Sequence, residues 1–149
     1  MKIAIFFGTE TGNAEMLAED IATGLEAEHE TSLADLADSS PEDLKVAELN
    51  VIVCSSYGEG ELPASAKPFA AQLADSQPDL SDVRFAIFGL GDSEYAETYG
   101  FGSMKLAELL VARGARALDE RPVHDAASAD LPEDVALPWV TAIIDGLAT

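Results

Sequence analysis

Ile3-Ala4-Ile5-Phe6-Phe7-Gly8-Thr9-Glu10-Thr11-Gly12-Asn13-Ala14 passes from an apolar run, through a loop of glycines and hydroxyls, into a helical pattern. It reads as a strand, a tight turn and a helix N-terminus. The first N–H groups of a helix have no intrahelical acceptor, and the helix dipole places partial positive charge at that end. The turn is therefore an anion site built from main chain, with Thr9 and Thr11 adding hydroxyls. It holds no lysine or arginine, so it is not the GxxxxGK[ST] loop of nucleoside triphosphatases. Nor is it GxGxxG, which cradles a pyrophosphate. Amides and hydroxyls without a cation suit one terminal phosphate monoester. The stretch points to a nucleotide with a single phosphate.

Outward from this unit, strand and helix patterns alternate. Strands are expected at Lys2–Phe7, Glu30–Leu33, Leu49–Cys54, Arg84–Phe88 and Arg116–Val123. Val51-Ile52-Val53-Cys54 and Phe85-Ala86-Ile87-Phe88 are continuous apolar runs, as suits strands covered on both faces of a parallel sheet. Ala14, Leu17, Ala18, Ile21 and Leu25 recur at helical spacing, and Ala66, Phe69, Ala70 and Leu73 do likewise. Met104, Ala107, Leu110 and Val111 form another stripe, with Gly114 as its C-terminal cap. Trp139, Ile143 and Leu147 mark the last helix, in which Pro138 is tolerable only close to the start. A weaker helix is expected from Pro41. Five strands alternating with helices imply one doubly wound α/β domain, 1–149, with helices on both faces.

In such sheets ligands sit beyond the carboxyl ends of the strands, where strand order reverses. With the order 2-1-3-4-5, taken from known sheets of this class rather than read from the residues, the loops after strands 1, 3 and 4 line one crevice. The second loop is Ser55-Ser56-Tyr57-Gly58-Glu59-Gly60-Glu61, and the third is Gly89-Leu90-Gly91-Asp92-Ser93-Glu94-Tyr95. Each brings glycines that let backbone approach a ligand, and one aromatic ring. Either tyrosine alone would read as packing. As a pair on facing loops, Tyr57 and Tyr95 sandwich a planar heteroaromatic ring, each face contributing roughly 1–3 kcal/mol if base stacking is a guide. Tyr99 extends that wall.

Composition narrows the alternatives. The 149 residues suffice for a core, and 48% are hydrophobic. No apolar stretch approaches the roughly 20 residues that span a bilayer. Met1-Lys2-Ile3 enters a strand without a signal-peptide layout, and one cysteine agrees with a reducing cytoplasm, where the protein is expected. The 28 acidic and 8 basic residues give a net charge of −20, which repels nucleic acid and suits a basic protein partner. Solubility or a salty cytoplasm would explain the charge equally well. Cys54 reads as an inert core thiol, His29 and His124 as surface histidines, and Glu26–Glu30 as a solvated helix end. Metal-ligand spacing and the GxSxG nucleophile elbow are both absent.

GTETGNAE, SSYGEGELP and FGLGDSEY together resemble the FMN-binding loops of short-chain flavodoxins. The likeness extends to the MioC-type proteins and to the FMN domains of NADPH–cytochrome reductase and sulfite reductase flavoprotein. Pro78–Phe85 and Leu131–Asp134 are also similar to that group. The resemblance implies that Thr9, Glu10, Thr11, Gly12 and Asn13 hold the FMN phosphate. It implies that Tyr57 and Tyr95 flank the flavin ring, with Tyr99 beyond and Ser55 and Ser56 among the cofactor-binding residues. Gly58 matches the glycine near flavin N5, and Leu90, Gly91 and Asp92 the residues at the pyrimidine edge. Tyr99 stands where relatives often carry Phe, and the segment from Tyr95 to Lys105 is long by one residue.

The family role is to pass single electrons from a separate NAD(P)H-dependent reductase to an acceptor protein. A carboxylate about 10 Å from the ring, at an effective dielectric near 20, opposes an added electron by roughly 1.5 kcal/mol, or about 60 mV. Glu59, Glu61, Asp92, Glu94 and Glu97 fall on the site loops, and all but Asp92 form the rim expected to meet basic-surfaced reductase and acceptor proteins. A monomer without its own nicotinamide site is expected. The rival reading is an FMN-dependent NAD(P)H:quinone oxidoreductase on the same fold, for which the chain looks short. A phosphotransfer receiver domain would need acidic residues that Cys54-Ser55-Ser56 and Phe7-Gly8-Thr9 do not supply.

Overall fold

Alternation inside each strand shows how the sheet is covered. In β1 (Lys2–Gly8), Ile3, Ile5 and Phe7 join one buried cluster while Ala4 and Phe6 join another. β3 (Leu49–Ser55) splits the same way, Leu49, Val51 and Val53 against Ile52 and Cys54. In β4 (Arg84–Gly91), Ala86 and Phe88 oppose Phe85 and Ile87. With period two and both faces apolar, each central strand needs a helical layer on either side. A computed structural model describes residues 2–8, 13–55, 66–91, 101–118, 123–125 and 131–148.

The strand order is β2-β1-β3-β4-β5, all pairings parallel, as expected. β2 (Glu30–Asp35) is the edge strand and is largely exposed. The fifth position differs from the continuous strand expected over Arg116–Val123. It is filled by β5 (Arg116–Ala117) and β6 (Val123–Asp125), both paired with β4. Five residues (118–122) stand there against three in β4 (86–88), so the ladder cannot stay in register. Asp119-Glu120-Arg121-Pro122 is charged and contains a proline without an N–H to donate, which opposes a continuous strand.

One layer is α1 (Asn13–Leu25) with α4 (Pro132–Ala148), and the other is α2 (Lys67–Ser76) with α3 (Phe101–Ala112). The stripes expected for α1 and α2 are buried throughout. α3 is rotated from expectation: Ser103, Leu106 and Leu110 are buried, whereas Val111 is 53% exposed. α4 turns Ala136, Val140, Ile143 and Ile144 inward, and Trp139 is half-buried with its ring edge-on to Phe88, centroids 5.4 Å apart. Pro41–Lys45 is a single 3-10 turn rather than an α-helix. Buried Asn50 ties that turn to the sheet, its Nδ2 donating to the carbonyls of Leu44 and Arg84 at 2.9 and 3.1 Å.

Gly114, with φ of 99°, reverses the chain after α3. A Cβ there would lie 3.3 Å from the backbone of Ser81. That turn docks through Leu80 N–H to the Arg113 carbonyl at 2.9 Å. Within it, the Ser81 N–H and hydroxyl hold the Asp79 carboxyl below its usual range. Pro138 lies well inside α4 rather than near its start, and the helix continues past it without an N–H from residue 138. By urea unfolding, Gly114→Ala is expected to lose about 1–2 kcal/mol from left-handed strain alone. Pro138→Ala, at an exposed position, is expected to gain about 1 kcal/mol or more by restoring a helical hydrogen bond. A stable Gly114→Ala protein would contradict the close approach to Ser81.

Candidate functional site

Parallel register sets the site. Gly8 of β1 pairs with Cys54 of β3, Cys54 with Gly89 of β4, and Gly89 with Val123 of β6. Ser55, Leu90 and His124 form the next row, and Gly91 pairs with Asp125 beyond them. The segments after β1, β3 and β4 thus leave from adjacent positions on one sheet edge. Gly8, Cys54 and Gly89 are all buried and small.

Only residues 9–12 separate Gly8 from Asn13, the first residue of α1. So short a connection holds the helix N-terminus against the end of β1, with the first-turn N–H groups, which lack intrahelical acceptors, at the edge. α1 contains no lysine or arginine, and Glu15 lies in its first turn. Any anion held here is held by backbone dipoles against the local side-chain charge. Among the described residues no three His, Cys, Asp or Glu gather as for a metal, and no helix is long and apolar enough to cross a membrane.

The expected site residues fall into two groups. Asn13 opens α1, Ser55 ends β3, and Leu90 and Gly91 are the last residues of β4. Leu90 and Gly91, expected on a loop, are therefore strand residues, continuing the ladder beyond Phe88. Thr9, Glu10, Thr11, Gly12, Ser56, Tyr57, Gly58, Asp92, Tyr95 and Tyr99 lie outside the described residues, as do Glu59, Glu61, Glu94 and Glu97. One element was not counted from sequence: β6 ends at Asp125 beside Gly91, so the chain after it leaves at the same edge. A parallel partner for the end of β4 was the signal for it.

His29, expected on the surface, is half-buried just past the end of α1, and its Nδ1 is buried without a hydrogen-bond partner. His124 is a strand residue of β6. Cys54 is fully buried, as expected.

A family model described as flavodoxin matches residues 5–139. The chain belongs to the flavodoxin family. A "Protein MioC homolog" from Haemophilus influenzae is 36% identical over 147 residues, covering 99% of each chain. The "Sulfite reductase [NADPH] flavoprotein alpha-component" of Bacillus subtilis is 31% identical over 149 residues, covering 98% of this chain and 24% of that protein. Among solved structures, a mutant flavodoxin from Pseudomonas aeruginosa superposes with a TM-score of 0.86 at 30% identity, all of both chains covered. These flavodoxin-family likenesses run along the whole sheet, including the edge that carries the candidate loops.

Proposed function

We infer that this chain is an FMN-containing one-electron carrier, reduced by a separate nicotinamide-dependent reductase and oxidised by an acceptor protein. The observation that carries the reading is the row of small buried residues, Gly8, Cys54 and Gly89, beside the cation-free N-terminus of α1. Thr9, Glu10, Thr11, Gly12 and Asn13 hold the phosphate through amides and hydroxyls. Tyr57 and Tyr95 cover the two faces of the ring, with Tyr99 beyond. Ser55, Ser56 and Gly58 approach from β3, and Leu90, Gly91 and Asp92 meet the polar edge from β4.

Bound flavin supplies the redox chemistry. The residues of this chain bind and orient it, exclude water from its faces, and surround it with carboxylates that make an added electron less favourable. The carrier works as a monomer in the cytoplasm, and it takes electrons from a reductase rather than from NADPH directly. Glu59, Glu61, Glu94 and Glu97 form the rim that basic partners approach.

Four outcomes are expected. The purified protein is yellow and binds FMN far more tightly than riboflavin. Thr11→Ala weakens FMN by roughly tenfold or more, as losing a hydrogen bond to a charged group would, and leaves riboflavin unchanged. Equal losses for both would remove the phosphate from residues 9–13. FMN affinity also rises as salt increases from about 10 mM to about 0.3 M, because screening weakens repulsion between the phosphate and a chain of charge −20. A falling affinity would mean that a cationic side chain grips the phosphate. Finally, NADPH alone leaves the flavin oxidised until a reductase is added; rapid bleaching by NADPH would favour the quinone reductase.

A further inference from the structure

Acidic charge on this chain is spread over its surface rather than gathered at one face. α1, the turn after it and α4 expose Glu19, Asp20, Glu26, Glu28, Asp134 and Asp145, and residues 13–29 and 132–148 include no lysine or arginine. Across the sheet, exposed Asp38, Glu42, Asp43, Asp75 and Glu108 outnumber Lys45, Lys67 and Lys105. Where the strands begin, Glu30, Glu48, Asp79 and Asp82 stand among Lys2, Arg84, Arg113 and Arg116, and that edge is nearer balance. The α-helices start at the carboxyl edge, so Glu28, Asp75 and Asp145, near or past helix ends, lie far from the candidate cofactor site. A rim for redox partners accounts for none of these three.

Internal pairing does little to offset this charge. Lys45 meets Glu42 at 3.2 Å, but both side chains are exposed, where an ion pair contributes little. Arg84 gives its Nε–H to the Glu48 carbonyl rather than to a carboxylate. None of the four described α-helices has a basic residue in its last turn, where a cation would meet the helix dipole, although Arg113 follows α3. Glu15 and Glu19 stand four apart on α1, a spacing at which like charges repel. Folding draws the carboxylates together, whereas the unfolded chain lets them separate. Self-repulsion therefore burdens the native state, and its relief favours folding. The screening length is about 10 Å at 0.1 M salt and about 3 Å at 1 M, so surface neighbours decouple only well above 0.1 M.

We propose that this fold is built for concentrated monovalent salt, its carboxylate surface gathering a diffuse layer of cations that folding takes up. No single residue holds such a cation. The layer forms wherever carboxylates outnumber basic groups, which is over most of the described surface. The inference is independent of the electron-carrier reading, and of the explanations for the −20 charge it selects the saline medium.

The test follows urea unfolding of the flavin-loaded full chain by far-ultraviolet circular dichroism, from about 0.05 M to about 1 M KCl. Flavin affinity is measured at each salt concentration, and its contribution is subtracted by linkage. The folding equilibrium constant is expected to rise roughly tenfold or more across that range, with NaCl acting as KCl does. A variant with Glu28→Gln, Asp75→Asn, Glu108→Gln and Asp145→Asn changes four exposed positions away from the site. It is expected to be the more stable protein in dilute salt and to gain less from added salt. Salting-out of apolar surface acts on both proteins alike, so the difference in slope reads the carboxylates. Equal slopes would overturn the proposal and leave the charge to solubility. A folding constant that stays level or falls as salt rises would overturn it as well.

Discussion

Four residues between the end of β1 and the start of α1 constrain the whole site, because they leave the helix N-terminus nowhere to go except the sheet edge. The helix brings first-turn N–H groups that lack intrahelical acceptors, and it carries no cation. Each hydrogen bond from such a group to a charged ligand contributes about 1.5–3 kcal/mol. A carboxylate about 10 Å away repels each unit of ligand charge by roughly 1.5 kcal/mol before screening. Three or four such hydrogen bonds, about 5–12 kcal/mol together, therefore outweigh one carboxylate acting on a dianion, roughly 3 kcal/mol before screening. A chain of charge −20 can hold an anion in this way without placing a lysine beside it.

The rest of the fold supports that edge. Strands β1, β3 and β4 bury both faces, so the register that aligns Gly8, Cys54 and Gly89 cannot slip by one residue without exchanging the two cores. α1 and α4 meet closely at Gly24, where a Cβ would stand 2.7 Å from a Leu137 methyl group. Both helices start at the carboxyl edge of the sheet.

Much of this was legible in the residues. The runs Ile3–Phe7, Val51–Cys54 and Phe85–Phe88 marked the central strands, and the α1 and α2 stripes were buried as their spacing required. α3 was misphased because Met104, Leu106, Ala107, Leu109, Leu110 and Val111 leave hardly any polar face to fix its rotation. The fifth strand was drawn continuous because its apolar ends masked two extra residues. The end of β4 was mistaken for loop because glycines at 89 and 91 read as turn residues, although the ladder to β3 and β6 continues through them. His29 has no local pattern, and only the tertiary packing at the end of α1 buries it. The site loops were recognised by composition at three strand ends, and register then brought those ends together.

The most direct measurement is a phosphorus NMR titration of the bound cofactor across about pH 5 to 9, a range that brackets an ordinary phosphate ester's second ionisation near 6. Amide donors at a helix N-terminus stabilise the dianion. The resonance should therefore stay at the dianion position and be unmoved by pH or by a phosphate-free solvent. A signal titrating near 6 like a free ester would place the phosphate in water, and the cradle of main-chain donors would not exist.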